Sequence, residues 1–290
     1  MIIKRLKRII WIGALTIFAI INNAHASVTC NFSSNPGFST AYVPTDLVAN
    51  IRSTTFAVTC TRTASSGGAT SVTVSYSVAA SNGLHVTGTQ NRGASGTHYI
   101  NYSVSTDPAC STPWKGTTYF TASFPLAKSS AVTNTYTYYG CIPALQAPSA
   151  GTYTDTVTTS FAVGTVSSGG SSFSSRTFPV SIVTPSSCSL TTLPGNITFN
   201  YTSFSGAAVL GSTTFGVTCT NILPYTISLD AFSGTIVGVN YSLALSGSSG
   251  TGTGTAQTYT INGTVASGQA GTCSTATCSG SNVRTLTIVY

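Results

Sequence analysis

Nine residues occur twice in this chain with a single change between the copies. Ser53-Thr54-Thr55-Phe56-Ala57-Val58-Thr59-Cys60-Thr61 returns as Ser212-Thr213-Thr214-Phe215-Gly216-Val217-Thr218-Cys219-Thr220, Gly216 standing for Ala57. A further cysteine precedes each copy, Cys30 lying 30 residues before Cys60 and Cys188 lying 31 before Cys219. A repeat of this length with a matched upstream cysteine makes the chain two related modules in tandem. Inside the stretch Phe56, Val58 and Cys60 alternate with Thr55, Ala57, Thr59 and Thr61, which is the two-residue period of a half-buried strand. The closing cysteine would staple that strand to the start of its own module.

The modules begin after a leader. Lys4, Arg5, Lys7 and Arg8 precede a largely apolar run over 9–21, and Ala24-His25-Ala26 supplies a small-x-small cleavage site. A secretory signal peptide is expected over 1–26. The competing reading, a membrane anchor, would need roughly 20 apolar residues. Beyond the leader, seven Lys and Arg face four Asp and no Glu, a net of +3. These charges are scattered and form no basic stripe, so no nucleic-acid partner is expected. All eight cysteines follow the leader, which points to an oxidising compartment and to disulfides.

Thr, Ser, Gly, Tyr and Val abound and helix-forming patterns are nearly missing, so strands are favoured throughout. Module one is expected to hold strands at 54–59, 71–79, 98–104, 117–124, 135–139, 153–163 and 176–183. Turn signals fall between them, at Ser66-Gly67-Gly68, Asn82-Gly83, Asp107-Pro108, Ala150-Gly151 and Ser168-Gly169-Gly170. Short strands at this spacing make an immunoglobulin-like β-sandwich, so the fold class is all-β with two such domains. Thr184-Pro185-Ser186-Ser187 reads as the boundary, giving domains over 27–184 and 185–290. Module two is expected to hold strands at 197–201, 214–218, 225–229, 239–245, 258–261 and 283–290, with 246–255 a loop.

In module one the strand over 153–163 is followed by a Gly/Ser turn and then by 176–183. The matching stretch of module two, 283–290, has no such successor. Module two is therefore expected to lack its final strand, leaving a hydrophobic groove and an unpaired edge at Val283, Leu286, Ile288 and Tyr290. Such an edge is an aggregation hazard unless another chain fills it. Residues 176–183 read as the final strand of module one itself, or as a strand donated to module two.

The paired cysteines closing in Thr-Thr-Phe-x-Val-Thr-Cys are followed in order by Asn101-Tyr102, Trp114-Lys115-Gly116, Tyr139-Gly140-Cys141-Ile142-Pro143, Gln146 and 150–157. Module two keeps Asn240-Tyr241, 259–263 and Gln269-Ala270-Gly271. This ordered set resembles spore coat protein U domains, the pilin-like modules of Csu-type chaperone–usher pili, over nearly all of the chain after the leader. The resemblance implies a fibre subunit completed by a strand from a neighbouring pilin subunit, with a periplasmic pilus chaperone and an outer-membrane usher as partners. In that family a shaft subunit carries an alternating extension before its first cysteine. Here only Ser27-Val28-Thr29 lies between the cleavage site and Cys30, too short at about 3.3 Å per residue to fill a groove. The resemblance thus implies a two-domain tip adhesin at the cell surface, active in attachment to an abiotic or host surface and in biofilm formation; a non-adhesive minor pilin or spore-coat-type subunit is the alternative. Eight cysteines allow 105 connectivities; the repeat argues for Cys30–Cys60 and Cys188–Cys219, and Cys110–Cys141 and Cys273–Cys278 are expected among the four that remain.

Chemistry has little to work with. Glu is absent, Asp46, Asp107, Asp155 and Asp230 are far apart, and the histidines after the leader are His85 and His98. No catalytic residue, metal ligand or cofactor is expected, and Asp155 reads as a structural carboxylate. Contact with a surface would instead use apolar groups on loops held by a rigid scaffold. The loop-like candidates are Phe124 and Leu126 around Pro125, the run Pro143, Ala144 and Leu145, and Leu84 beside the Asn82-Gly83 turn.

Overall fold

Alternation of Thr and Ser with Val, Phe and Tyr draws most of the chain into strands. The computed structural model describes residues 27–290 apart from 35–36, 45, 65–68 and 167–170. The leader expected over 1–26 and the turns at 66–68 and 168–170 lie outside the described residues. Module one holds β1 Val28–Ser34, β2 Phe38–Ala41, β3 Asn50–Arg62, β4 Ser71–Ala80, β5 Val86–Thr87 and β6 Gln90–Ser95. It continues with β7 His98–Ser105, β8 Phe120–Ala127, β9 Ala131–Ile142, β10 Gly151–Val166, β11 Ser171–Phe173 and β12 Arg176–Thr184. Module two holds β13 Cys188–Thr192, β14 Val209–Cys219, β15 Pro224–Leu229, β16 Ser233–Ile236, β17 Val239–Leu245, β18 Ser249–Thr251, β19 Gln257–Val265 and β20 Leu286–Val289.

Two layers make module one. One runs β11-β1-β3-β9-β7, the other β2-β12-β10-β4-β8, and β6 links them by pairing with β7 and, at one residue, with β10. Inward residues of both layers meet in one core: Phe32, Phe56, Val58 and Tyr138 from the first, Val74, Val78, Val157, Phe178 and Ile182 from the second. Trp114, from the segment between β7 and β8, is fully buried in it. Its ring stacks on Phe56 at 5.1 Å and its Nε1–H donates to the Val78 carbonyl at 2.9 Å, so the one polar atom of a large apolar side chain is satisfied. Module two repeats the plan with a sheet β13-β14-β19-β17-β16 and a smaller one β18-β15-β20.

The repeated stretch lies at matching places, in β3 and in β14. Cys30 sits directly opposite Cys60 across β1 and β3, and Cys188 opposite Cys219 across β13 and β14. Disulfides join both pairs, and two more join Cys110 to Cys141 and Cys273 to Cys278.

Several strands differ from the sequence expectation, each for a physical reason. The strand expected at 117–124 runs instead over Phe120–Ala127. Pro125 suggests a loop, but among the described residues β8 is an edge strand pairing only with β4, where a residue without an N–H is tolerated. Phe124 and Leu126 therefore lie in a strand, with Phe124 packed on the core and Leu126 wholly buried in it. Neither is the exposed loop residue expected, because alternation along β8 turns both inward. Residues 197–201 form no strand, and 283–285 stay outside β20. The segment matching 197–201 in module one becomes β2 only by pairing with β12, in parallel through Val180↔Phe38 and Val183↔Ala41.

β12 carries Phe178, Val180 and Ile182 into the core, each at most 1% exposed. Phe178 rests against Tyr138 at 5.2 Å and Trp114 at 6.3 Å. Phe178→Ala should cost about 3–5 kcal/mol, while Arg176→Ala at the exposed start of β12 should stay within about 0.5 kcal/mol. Urea unfolding followed by Trp114 fluorescence measures both, and equal effects would refute the role given to β12.

Candidate functional site

A hydrogen-bonded clamp fixes how the modules correspond. In module one the Tyr42 hydroxyl accepts from the Gln146 backbone N–H at 2.7 Å, and the Gln146 side chain bonds both backbone groups of Asn101 at 2.7 and 2.9 Å. In module two Tyr201 does the same with Gln269 at 2.7 Å, and Gln269 bonds Asn240 at 2.7 and 2.9 Å. A second pair aligns the late strands. The backbone N–H of Ser81 donates to the Thr158 carbonyl, and the Thr158 N–H returns to the Ser81 hydroxyl. Asp230 and Thr285 repeat this arrangement through the Asp230 carboxylate. Thr285 thus stands where Thr158 stands, Arg284 where Val157 stands, and Asn282 where Asp155 stands.

With that alignment the two modules part company at one slot. In module one β12 lies between β10 and β2, antiparallel to β10 from Gly151↔Thr184 to Thr159↔Arg176. Tyr153, Asp155, Val157 and Thr159 on β10 beside it are all buried. In module two β20 pairs with β15 alone, and among the described residues no strand lies on its other side or beside 197–200. Leu190, Ile197, Leu243, Tyr259, Leu286 and Ile288 are only half-buried against the module-two core, and of these Ile197 and Leu286 lie on the segments that border the gap. Of the expected edge residues Leu286 and Ile288 face the core, while Val283 is 90% exposed and Tyr290 57%. The result is a trough one strand wide, between 197–200 and 282–286, that no described strand fills.

The residues expected to touch a surface are scattered. Leu84 is 72% exposed and Leu145 69%, Pro143 is exposed, and Ala144 is half-buried. The Pro143-Ala144-Leu145 run leads into Gln146 and then Ala147, which lies against Gly254, and Ser149, which bridges to Asn221. That places Leu145 near module two rather than at the far end of module one. At the far end, where β3 and β8 finish, the described exposed residues include Thr63, Ala64, Ala69, Thr70, Ala127, Lys128 and Ser129.

Leu84 has a support that the sequence did not reveal. Asp155 is buried, and its carboxylate accepts from the Leu84 N–H at 2.8 Å, the His85 N–H at 3.3 Å, the Thr156 N–H at 2.8 Å and the Tyr102 hydroxyl at 2.6 Å. Burial, together with the hydrogen bond to and the charge of Asp155, pushes the Tyr102 phenol far above its ordinary range, so it stays protonated as a donor. Gly83 turns at φ +80° with no room for a Cβ, which would run into this carboxylate. The ring of His85, next in sequence after Leu84, lies 6.2 Å from that of Tyr99, and Arg92 stacks on Tyr99 at 4.1 Å. Among the described residues no group of three or more His, Cys, Asp or Glu could hold a metal ion.

The family model of the Spore Coat Protein U domain matches residues 16–160 and 174–247, three quarters of the chain. The chain belongs to the Spore Coat Protein U domain family. No curated protein matches it. It is similar to a chain of the CsuC–CsuE chaperone–tip adhesion subunit pre-assembly complex, from archaic chaperone–usher Csu pili of Acinetobacter baumannii. That match is 15% identical, covers 90% of this chain and 99% of the other, and has a TM-score of 0.47. A chain of the CupB6 tip adhesin structure from Pseudomonas aeruginosa is 9% identical over 85% of this chain and 93% of its own, with a TM-score of 0.39.

In this Spore Coat Protein U chain, removing the carboxylate that holds the Leu84 turn strands several buried donors. Asp155→Ala should destabilise the protein by on the order of 3 kcal/mol and speed amide exchange at Leu84 and His85. Exchange at those two amides unchanged in the variant would show that the turn holds itself.

Proposed function

We propose that this chain is the tip subunit, an adhesin, of a Csu-type chaperone–usher pilus, with a binding domain over 27–184 and a pilin domain over 185–290. The observation that carries the reading is the contrast at one slot: β12 occupies it in module one, while no described residue occupies it in module two. A module complete in itself needs no neighbour, and a module with an open trough accepts an extended strand through main-chain bonds and alternating pockets. Val28–Cys30 is already paired with β3 and β11 of its own module, and Val28 and Cys30 are buried there. One free and one strand-accepting module fit the end of a fibre. Family membership supports a subunit with no enzymatic role. A periplasmic chaperone would cover the trough before assembly, an outer-membrane usher would export the subunit, and a neighbouring pilin would then supply the strand. Contact with an abiotic or host surface, and through it biofilm formation, would use Leu84, Pro143 and Leu145. A second reading, a non-adhesive minor or coat-type subunit, is favoured by the polar residues at the far end of module one.

Gold-labelled antibody against module one should mark one end of each fibre, and labelling along the shaft would refute the tip position. The double variant Leu84→Asp with Leu145→Asp should leave fibres intact and cut adsorption to a hydrophobic surface by about tenfold or more. Unchanged adsorption would favour the non-adhesive reading.

A further inference from the structure

One charge in module two stands where the repeat has none. Val157 of module one is wholly buried and pairs with Phe178 of β12. The corresponding residue of module two is Arg284, whose side chain is 24% exposed along the open trough. Its Nε donates to the Tyr241 hydroxyl at 2.9 Å and its Nη2 to the Ser233 carbonyl at 2.8 Å. The guanidinium lies over the Tyr241 ring at 5.6 Å. Among the described residues Nη1 has only Asp230, at 3.7 Å, beyond hydrogen-bonding range, and the other oxygen of that carboxylate already accepts from the Thr285 N–H. Asp230 itself is 42% exposed.

A strand laid in this trough as β12 lies in module one would cover Arg284 as β12 covers Val157. Burying a cation is costly unless it is paired and hydrogen-bonded. The lining has changed as well. Phe178 is received in module one by Trp114 and Tyr138. The strand register puts Ile261 in the place of Tyr138, through Thr54↔Tyr138 and Thr213↔Ile261, and the described part of module two has no tryptophan. An aromatic seat has been exchanged for a cation with donors to spare.

We propose that Arg284 selects the strand that completes module two, by requiring an acidic side chain at the position Phe178 holds in module one, directly opposite Arg284. The proposal rests on the strand-accepting reading of module two. The occupant is an extended segment of another chain with apolar residues at the positions of Val180 and Ile182 and a carboxylate one step earlier in the alternation. That carboxylate meets Nη1, where a planar fork and a carboxylate make a short, charge-assisted pair.

Two labelled peptides test it on the full chain: one with the sequence of residues 176–183, the other its Phe178→Asp counterpart. The acidic peptide should bind about tenfold or more tightly, and added salt should narrow the gap. Arg284→Val should reverse the preference, and Arg284→Gln, of similar shape and neutral, should abolish it. Equal affinities for the unaltered chain, or a preference for the phenylalanine peptide, would overturn the proposal while leaving strand acceptance standing. Binding of neither peptide would refute strand acceptance itself. Unchanged Trp114 fluorescence verifies that β12 has kept its own place.

Discussion

The pairing of β12 with β10 and β2 decides the state of every layer around it. It turns 38–41 into a strand, covers Tyr153, Asp155, Val157 and Thr159, and brings Phe178 against Tyr138 and Trp114. Without it the same sequence plan, seen in module two, leaves 197–200 outside any strand and Ile197 and Leu286 only half-buried. The disulfides cannot substitute, since Cys30–Cys60 and Cys188–Cys219 both staple the first strand of a module to its repeated strand, on the layer away from the slot. Both modules share that staple and the Tyr–Gln–Asn clamp, so these features do not separate a closed module from an open one. The backbone bonds that β12 makes to β10 and β2 do.

An open edge exposes apolar surface and unpaired amides, which invites association with other chains. The same exposure is what a strand-accepting subunit needs. Arg284 and Asn282 fit this balance, because polar groups at the rim of an apolar trough weaken indiscriminate pairing while leaving a specific match available. Module one shows the opposite solution, with Asp155 turned inward and saturated by backbone and phenol donors.

Much of this was legible in the sequence because alternation and cysteine spacing are local signals. The repeat placed the two staples and the two modules, and the stretch 176–183 read as a final strand. What escaped depended on partners far away in the chain. Pro125 looked like a loop marker, yet on an edge strand it breaks no bond, and Leu126 beside it went to the core. Residues 197–201 alternate like a strand and still form none, because strand formation there requires a neighbour. Asp155 reads as one acid among threonines until folding brings the Leu84 turn over it. Arg284 reads as an ordinary strand-face residue, and only register against Val157 shows that its side chain lies toward the core.

Amide hydrogen exchange on the full chain measures the contrast between the two slots most directly. The account predicts slow exchange at amides of β2 and of 152–158, and fast exchange at 197–200 and 282–284. Equal protection in both modules would mean that the module-two slot is closed within the chain, and the reading of a subunit completed by another chain's strand would be wrong.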